Sequence, residues 1–260
     1  MDVKNGYSAA VRSAIGRRGE QQDSAFCQAE GDSAFAVVCD GMGGMELGRA
    51  AGAAAVERMR SLYASKRADE TFAEFFTNAV DTLDERVRAL GGAGGSGLSA
   101  GTTIVAAAAE KDKLFWLSVG DSRLYIIRGG SVARATRDHN YYYILDRMRR
   151  EGVIDEKRYI TESARGERLI SYIGMGGVQM FDVNDSPFTL APGDIILLCS
   201  DGLCRAFSDG EIARLVSGRE PEDALRALFD ESGAAFGDNA TCVVVKRRGL
   251  DRGGRSGGQT

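Results

Sequence analysis

The chain has 260 residues, 43% hydrophobic and 27% charged, with a net charge of −4. It is long enough to bury a sizeable core, and its mildly acidic balance argues against a dedicated nucleic-acid binder, which concentrates basic charge. No run approaches the ~18 consecutive apolar residues that suggest a membrane span, and residues 1–20 lack the apolar core of a signal peptide. A cytoplasmic protein with no membrane partner is the expectation.

The elements read off in chain order as follows. A polar segment, Arg17 to Asp23, precedes the run Ser33-Ala-Phe-Ala-Val-Val-Cys-Asp40, which is short, apolar and closed by Asp-Gly, as in a buried strand. Helices are predicted over Met45 to Ser65, rich in alanine, and over Thr71 to Leu90, where Phe72, Phe75, Phe76, Val80, Leu83 and Val87 form a stripe for core packing. The glycines of 91–97 have neither a preceding strand nor a following Lys-Ser/Thr, so they read as a flexible loop rather than a phosphate cradle. Strands follow over Thr102 to Ala109, Leu114 to Val119, Leu124 to Arg128 and Val132 to Ala135, with a hairpin at Gly129-Gly130. Residues 140–185 are richer in Arg, Tyr and Glu and read as an insertion, with helical spacing from Tyr143 to Gly152. Asp194-Ile-Ile-Leu-Leu-Cys-Ser-Asp201 repeats the strand-then-Asp-Gly form. Helices are predicted near Ser208 to Ser217, opened by a capping box of Ser208 and Glu211, and near Pro221 to Glu231. A strand from Thr241 to Lys246 comes last, before a Gly- and Arg-rich tail, 247–260, predicted to be disordered. Tight turns between strands favour antiparallel pairing, and paired helices favour α+β layers over a doubly wound parallel sheet.

The five cysteines, Cys27, Cys39, Cys199, Cys204 and Cys242, are odd in number and contain no C-x-x-C pair. Cys39, Cys199 and Cys242 sit inside apolar runs and read as small buried free thiols rather than as disulfides or a thiolate metal site. With His139 the only histidine, no His/Cys cluster is available for zinc. Aspartates are more informative. Asp40 and Asp201 each follow an apolar strand and precede glycine, Asp121 follows the strand ending at Gly120, and Asp238 precedes the last strand. Asp209-Gly210, by contrast, reads as a polar turn. Converging carboxylates about 4 Å apart repel by roughly 1 kcal/mol in water and about 4 kcal/mol at an effective dielectric of 20, so a cluster of four needs cations or many hydrogen bonds. Carboxylate and carbonyl oxygens suit the hard ions magnesium and manganese. Spacing alone leaves the convergence open.

Seven motifs in order make the chain recognisable. Arg18-Gly-Glu-Gln-Gln-Asp23-Ser, Val38-Cys-Asp40-Gly-Met-Gly-Gly44, Gly101-Thr-Thr103 and Val119-Gly-Asp121-Ser-Arg-Leu-Tyr125 come first. Thr136-Arg-Asp-His139, Leu198-Cys-Ser-Asp201-Gly-Leu203 and Asp238-Asn-Ala-Thr241 follow. Across about residues 7 to 246, the chain resembles the metal-dependent protein phosphatases of type 2C, the PPM family, in their bacterial form. The resemblance implies one catalytic domain over 1–246, an α-β-β-α sandwich of two antiparallel sheets flanked by helix pairs, with 140–185 as a flap beside the site. It implies two Mn2+ or Mg2+ ions, and a third, weaker one in bacterial-type members. Asp40 would bridge two metals, with Asp201 and Asp238 holding the first and the Gly41 carbonyl helping to hold the second. Asp23 would bind or orient a metal water. Asp121, with Asp201, would hold the third, and Arg18 would grip the substrate phosphate. The implied reaction is in-line attack of a metal-activated water on phosphoserine or phosphothreonine, with phosphoproteins, including a cognate serine/threonine kinase, as partners.

Five positions depart from the family's pattern. Gln21 and Gln22 stand for the commoner asparagine and glutamate, Met42 for a histidine of many eukaryotic members, Met45 for the usual histidine after Gly-Gly, and Tyr172 for a flap arginine. His139 reads as structural rather than as an acid. A catalytically inactive phosphoprotein-binding module on the same fold is the alternative, although retention of the four strand-end aspartates favours an enzyme.

Overall fold

The computed structural model describes residues 6–91, 100–231 and 236–249. The first half contains β1 (Gly6–Ala14), β2 (Asp23–Glu30), β3 (Ser33–Met42), α1 (Met45–Ala64), α2 (Phe72–Arg88), β4 (Gly101–Thr102), β5 (Ile104–Glu110), β6 (Lys113–Val119), β7 (Arg123–Arg128) and β8 (Ser131–Arg134). After these come α3 (Tyr141–Arg150), α4 (Glu156–Ser163), β9 (Asp182–Val183), β10 (Phe188–Thr189) and β11 (Ile195–Cys199), then α5 (Asp201–Ala206), α6 (Asp209–Val216), α7 (Pro221–Glu231) and β12 (Ala240–Arg248).

Two antiparallel sheets form. One runs β1-β12-β11-β7-β8, the other β10-β6-β5-β3-β2, with β4 on β3 and β9 on β6. Their central strands are continuous apolar runs because both faces are covered, and the two-residue period of a strand sends neighbours to opposite faces. In β3, Ala34, Ala36 and Val38 enter the layer between the sheets, while Phe35, Val37 and Cys39 face the helices. In β11, Ile196 and Leu198 face inward, and Ile195, Leu197 and Cys199 face α5–α7.

The helices close the outer layers. Ala51, Ala55 and Met59 of α1 recur every four residues, and Phe76, Val80, Leu83 and Val87 of α2 do so at three- and four-residue intervals. Each large side chain buried this way contributes about 1.5–3 kcal/mol. On the opposite side Ile212, Leu215 and Val216 of α6 and Leu225 and Leu228 of α7 cover the other sheet. The result is the four-layer α-β-β-α sandwich that the sequence implied. Thr71 and Ser208 each accept the backbone N–H three residues on, completing capping boxes with Glu74 and Glu211. Gly129 and Gly130, at φ 56° and 85°, make the hairpin turn between β7 and β8.

Some expectations need correction. Asp209-Gly210 is not a free turn: it is the first turn of α6, held by the Ser208 cap. The strand ending in Asp40 continues through Gly41 and Met42, which pair with Thr102 and Gly101 of β4. Arg247 and Arg248 belong to β12, where they pair with Tyr7 and Gly6, and the predicted disorder of 250–260 lies outside the described residues. So does the glycine loop of 92–97. The helix predicted over Tyr143 to Gly152 starts two residues earlier, at Tyr141.

Candidate metal centre

Antiparallel register brings the chosen aspartates to one end of the two sheets. Asp23, the first residue of β2, lies opposite Asp40 in β3. Asp121 follows β6, the neighbour of β5, with Ile104 paired to Val119. On the facing sheet Asp201 follows β11 and Asp238 precedes β12, and these strands pair at Cys199 and Cys242.

Backbone contacts hold this end together. Thr103 accepts the Asp40 N–H at Oγ1 (3.0 Å), and the Thr102 hydroxyl donates to the Asp40 carbonyl at 2.9 Å. Ser200 donates its hydroxyl to Asp23 Oδ2 at 2.7 Å while accepting the Thr241 N–H at 3.0 Å, so one side chain ties the two sheets. Asn239 accepts the Gln22 N–H at 2.8 Å and donates to the carbonyls of Ile15 and Glu20. The glycine after each central aspartate has a packing reason. A Cβ on Gly41 would fall 2.0 Å from the Gly48 carbonyl oxygen of α1, and one on Gly202 would fall 2.0 Å from the Asn239 carbonyl oxygen.

Burial and mutual repulsion disfavour the ionised carboxylates. Burial pushes Asp23 up to about 6, against hydrogen bonds from Ser200 and Thr241 and with help from Asp201 and Asp238. Asp121 is pushed up to about 7, by burial and then by Asp201 and Asp138. Asp40 is raised well above the usual carboxylate range, by burial and then by Asp23, Asp201, Asp121 and Asp238. Asp201 is raised by burial, with Arg205 opposing.

The donor set fits a hard divalent cation. It consists of carboxylates, and the buried Oδ1 atoms of Asp23 and Asp201 have no hydrogen-bond partner. Among the described residues, however, no three acidic, histidine or cysteine side chains close around one point. Two arginines stand among them instead. Arg18 Nη2 lies 2.6 Å from Asp238 Oδ2, so the side chain expected to grip phosphate is turned onto a carboxylate. Arg205 Nη2 lies 2.8 Å from Asp201 Oδ2 and 3.0 Å from Glu167 Oε2, and its Nη1 is 3.5 Å from Asp238 Oδ2.

Arg205 and Glu167 went unnoticed in the sequence. A basic residue four after Asp201 was the available signal, but it required recognising the short helix α5. Both line a cavity of about 240 Å3 with Asp121, Asp201, Asn140 and Tyr142. Residues of 140–185 thus border the aspartates. That segment is tied down at Ile173, which exchanges backbone hydrogen bonds with Thr102, and Tyr172 packs so closely on Gly101 that a Cβ there would meet its ring at 2.8 Å. His139 is buried. Its Nδ1 accepts the Gly120 N–H at 3.2 Å and its Nε2 lies 3.3 Å from Asp182, so it braces the turn before Asp121, as the structural reading held.

Comparison with known proteins agrees with this fold. The protein phosphatase 2C family model matches residues 12–234. The serine/threonine phosphatase stp of Listeria innocua is 27% identical over 222 residues, covering 84% of this chain and 86% of that protein. The PPM Ser-Thr phosphatase MsPP from Mycobacterium smegmatis, solved in complex with cacodylate, is 28% identical with a TM-score of 0.72. That match covers 92% of this chain and 97% of MsPP. The catalytic domain of the serine/threonine protein phosphatase PstP, solved with two manganese ions, shares the fold at 24% identity and a TM-score of 0.73, covering 94% of this chain and all of that one.

Proposed function

The chain belongs to the protein phosphatase 2C family as a serine/threonine phosphatase, and from that premise we propose that it hydrolyses phosphoserine and phosphothreonine on cytoplasmic phosphoproteins, a cognate kinase among them, at a two-metal centre. The observation that carries this reading is the gathering of Asp23, Asp40, Asp121, Asp201 and Asp238 at one end of the sandwich, with buried carboxylate oxygens left unpartnered. Two manganese or magnesium ions would lower the pKa of a water and neutralise the phosphoryl oxygens for in-line displacement.

Asp40 would hold both ions, Asp201 and Asp238 the first, and the Gly41 carbonyl would contribute to the second. Asp121 with Asp201 offers a third, weaker position. Asp23, one strand from Asp40, would orient water through the oxygen that Ser200 leaves free. Arg18 is half-exposed and paired to Asp238. Once that carboxylate is neutralised, its planar fork suits a phosphate. The segment 140–185 would border the bound phosphoprotein as a flap.

The test is turnover of p-nitrophenyl phosphate and of a phosphothreonine peptide with manganese. EDTA should abolish it, and Asp40→Ala and Asp201→Ala should lower kcat by at least 100-fold. No turnover with metal present, or turnover unchanged in either variant, sinks the proposal. Phosphopeptide binding without any turnover would point to the inactive binding module.

A further inference from the structure

We propose that Arg205 is a tethered counter-cation of the carboxylate cluster, competing with divalent metal for Asp201 and Asp238 and so setting how tightly the centre loads. The inference rests on the metal-centre reading above. Asp201 opens α5 and Arg205 lies four residues on, which puts both on one face of that short helix. From there the guanidinium reaches Asp201 Oδ2 at 2.8 Å and Asp238 Oδ2 at 3.5 Å, two carboxylates delivered by different strands. No other described cation bridges both.

The chemistry makes the contact competitive. A guanidinium does not deprotonate in a protein, so it yields its place only by moving. A divalent ion drawn to the unpartnered Asp201 Oδ1 meets a fixed positive charge on the other oxygen of the same carboxylate. Arg205 has somewhere to go. Its side chain is 47% exposed, the cavity of about 240 Å3 lies beside it, and Glu167 of the 140–185 segment already accepts from its Nη2 at 3.0 Å. Withdrawal toward Glu167 keeps one ion pair, frees Asp201 and leaves Asp238 to Arg18 alone. Glu167 is therefore the acceptor that favours the metal-loaded arrangement.

Titration with manganous chloride by calorimetry, on wild type, Arg205→Gln, Glu167→Gln and the double variant, tests this, with Asp40→Ala as control. Arg205→Gln should bind Mn2+ tenfold or more tightly, about 1.4 kcal/mol. It should also melt below wild type in EDTA and at or above it in saturating Mn2+, a reversal that a merely structural arginine would not give. Glu167→Gln should weaken binding severalfold, and that effect should vanish in the Arg205→Gln background. Equal or weaker Mn2+ affinity in Arg205→Gln, or additive effects in the cycle, overturns the proposal. Should Arg205→Gln not fold, Glu167→Gln, at an exposed position, decides alone, and unchanged affinity there overturns it. Wild type without saturable Mn2+ binding, or Asp40→Ala binding like wild type, overturns the metal-centre reading itself.

Discussion

Asp84 is buried on α2 and carries the turn that returns the 140–185 segment to the sandwich. Its Oδ1 accepts the N–H of Gly174 at 2.6 Å and of Gly176 at 3.3 Å, and its Oδ2 accepts that of Gly177 at 2.8 Å. The three glycines sit at φ 102°, 86° and 100°, a backbone region that L side chains rarely adopt, so the turn depends on this acceptor. Replacing Asp84 with alanine removes two short charge-assisted hydrogen bonds worth about 1.5–3 kcal/mol each and leaves a buried Gly174 amide unpaired. Some of that is recovered where water reaches Gly176 and Gly177, so the expected loss is roughly 3–5 kcal/mol, a large part of the 5–15 kcal/mol of a typical domain. Asp84→Asn keeps an acceptor for Gly174 but sets an N–H against Gly177, and should cost about half as much. Urea unfolding followed by circular dichroism in EDTA measures both. Because Ile173, next in the chain, pairs with Thr102, which holds the Asp40 carbonyl, Asp84→Ala should also weaken Mn2+ binding. A loss under 1 kcal/mol for the alanine variant, or an asparagine variant as damaged as alanine, would refute the argument.

Other perturbations have equally definite outcomes. Gly202→Ala places a Cβ 2.0 Å from a backbone oxygen of Asn239. Neither backbone can yield cheaply, so a destabilisation of about 3 kcal/mol or more is expected, read from the urea midpoint, and a midpoint within error of wild type would count against the contact. Metal-free protein should respond to pH in a particular sense. Asp23 and Asp121 have folded pKa values of about 6 and about 7, above the ~3.9 of an unfolded aspartate. Their contribution is therefore fully present below about pH 4 and lost as pH rises through 6 to 7. Melting in EDTA should be lower at pH 8 than at pH 5, and saturating Mn2+ should reduce or reverse that difference. A metal-free protein that melts higher at pH 8 would contradict it. Asp182 acts oppositely and in a different window. Burial opposes its ionisation, but His139 and Arg137 hold it below the usual carboxylate range, so its contribution disappears only on acidification below about pH 4.

Sequence by itself indicated α+β layers, and its motifs, through the family they resemble, implied the four-layer sandwich. The runs 34–39 and 195–199 are apolar at every position because each strand is covered on both faces, and such runs stand out without any partner in view. The capping box at Ser208 is local, and so is the Gly129-Gly130 turn. The ordered aspartate motifs identified the family. What lay beyond one dimension was missed. β1 and β2, with partly covered faces and many Ser and Ala residues, carry a weak period-2 signal. At six residues, α5 is too short for a helical period. Only tertiary structure set Asp23 opposite Asp40, gave Gly41 its role as the contact point for α1, and turned Arg18 and Arg205 onto the carboxylates. The physical reason is range. Propensity and caps act over about four residues, whereas the charges that balance the aspartates come from elements that meet only when the two sheets pack. Aspartates at strand ends were legible from spacing; which cations answer them was decided by the fold.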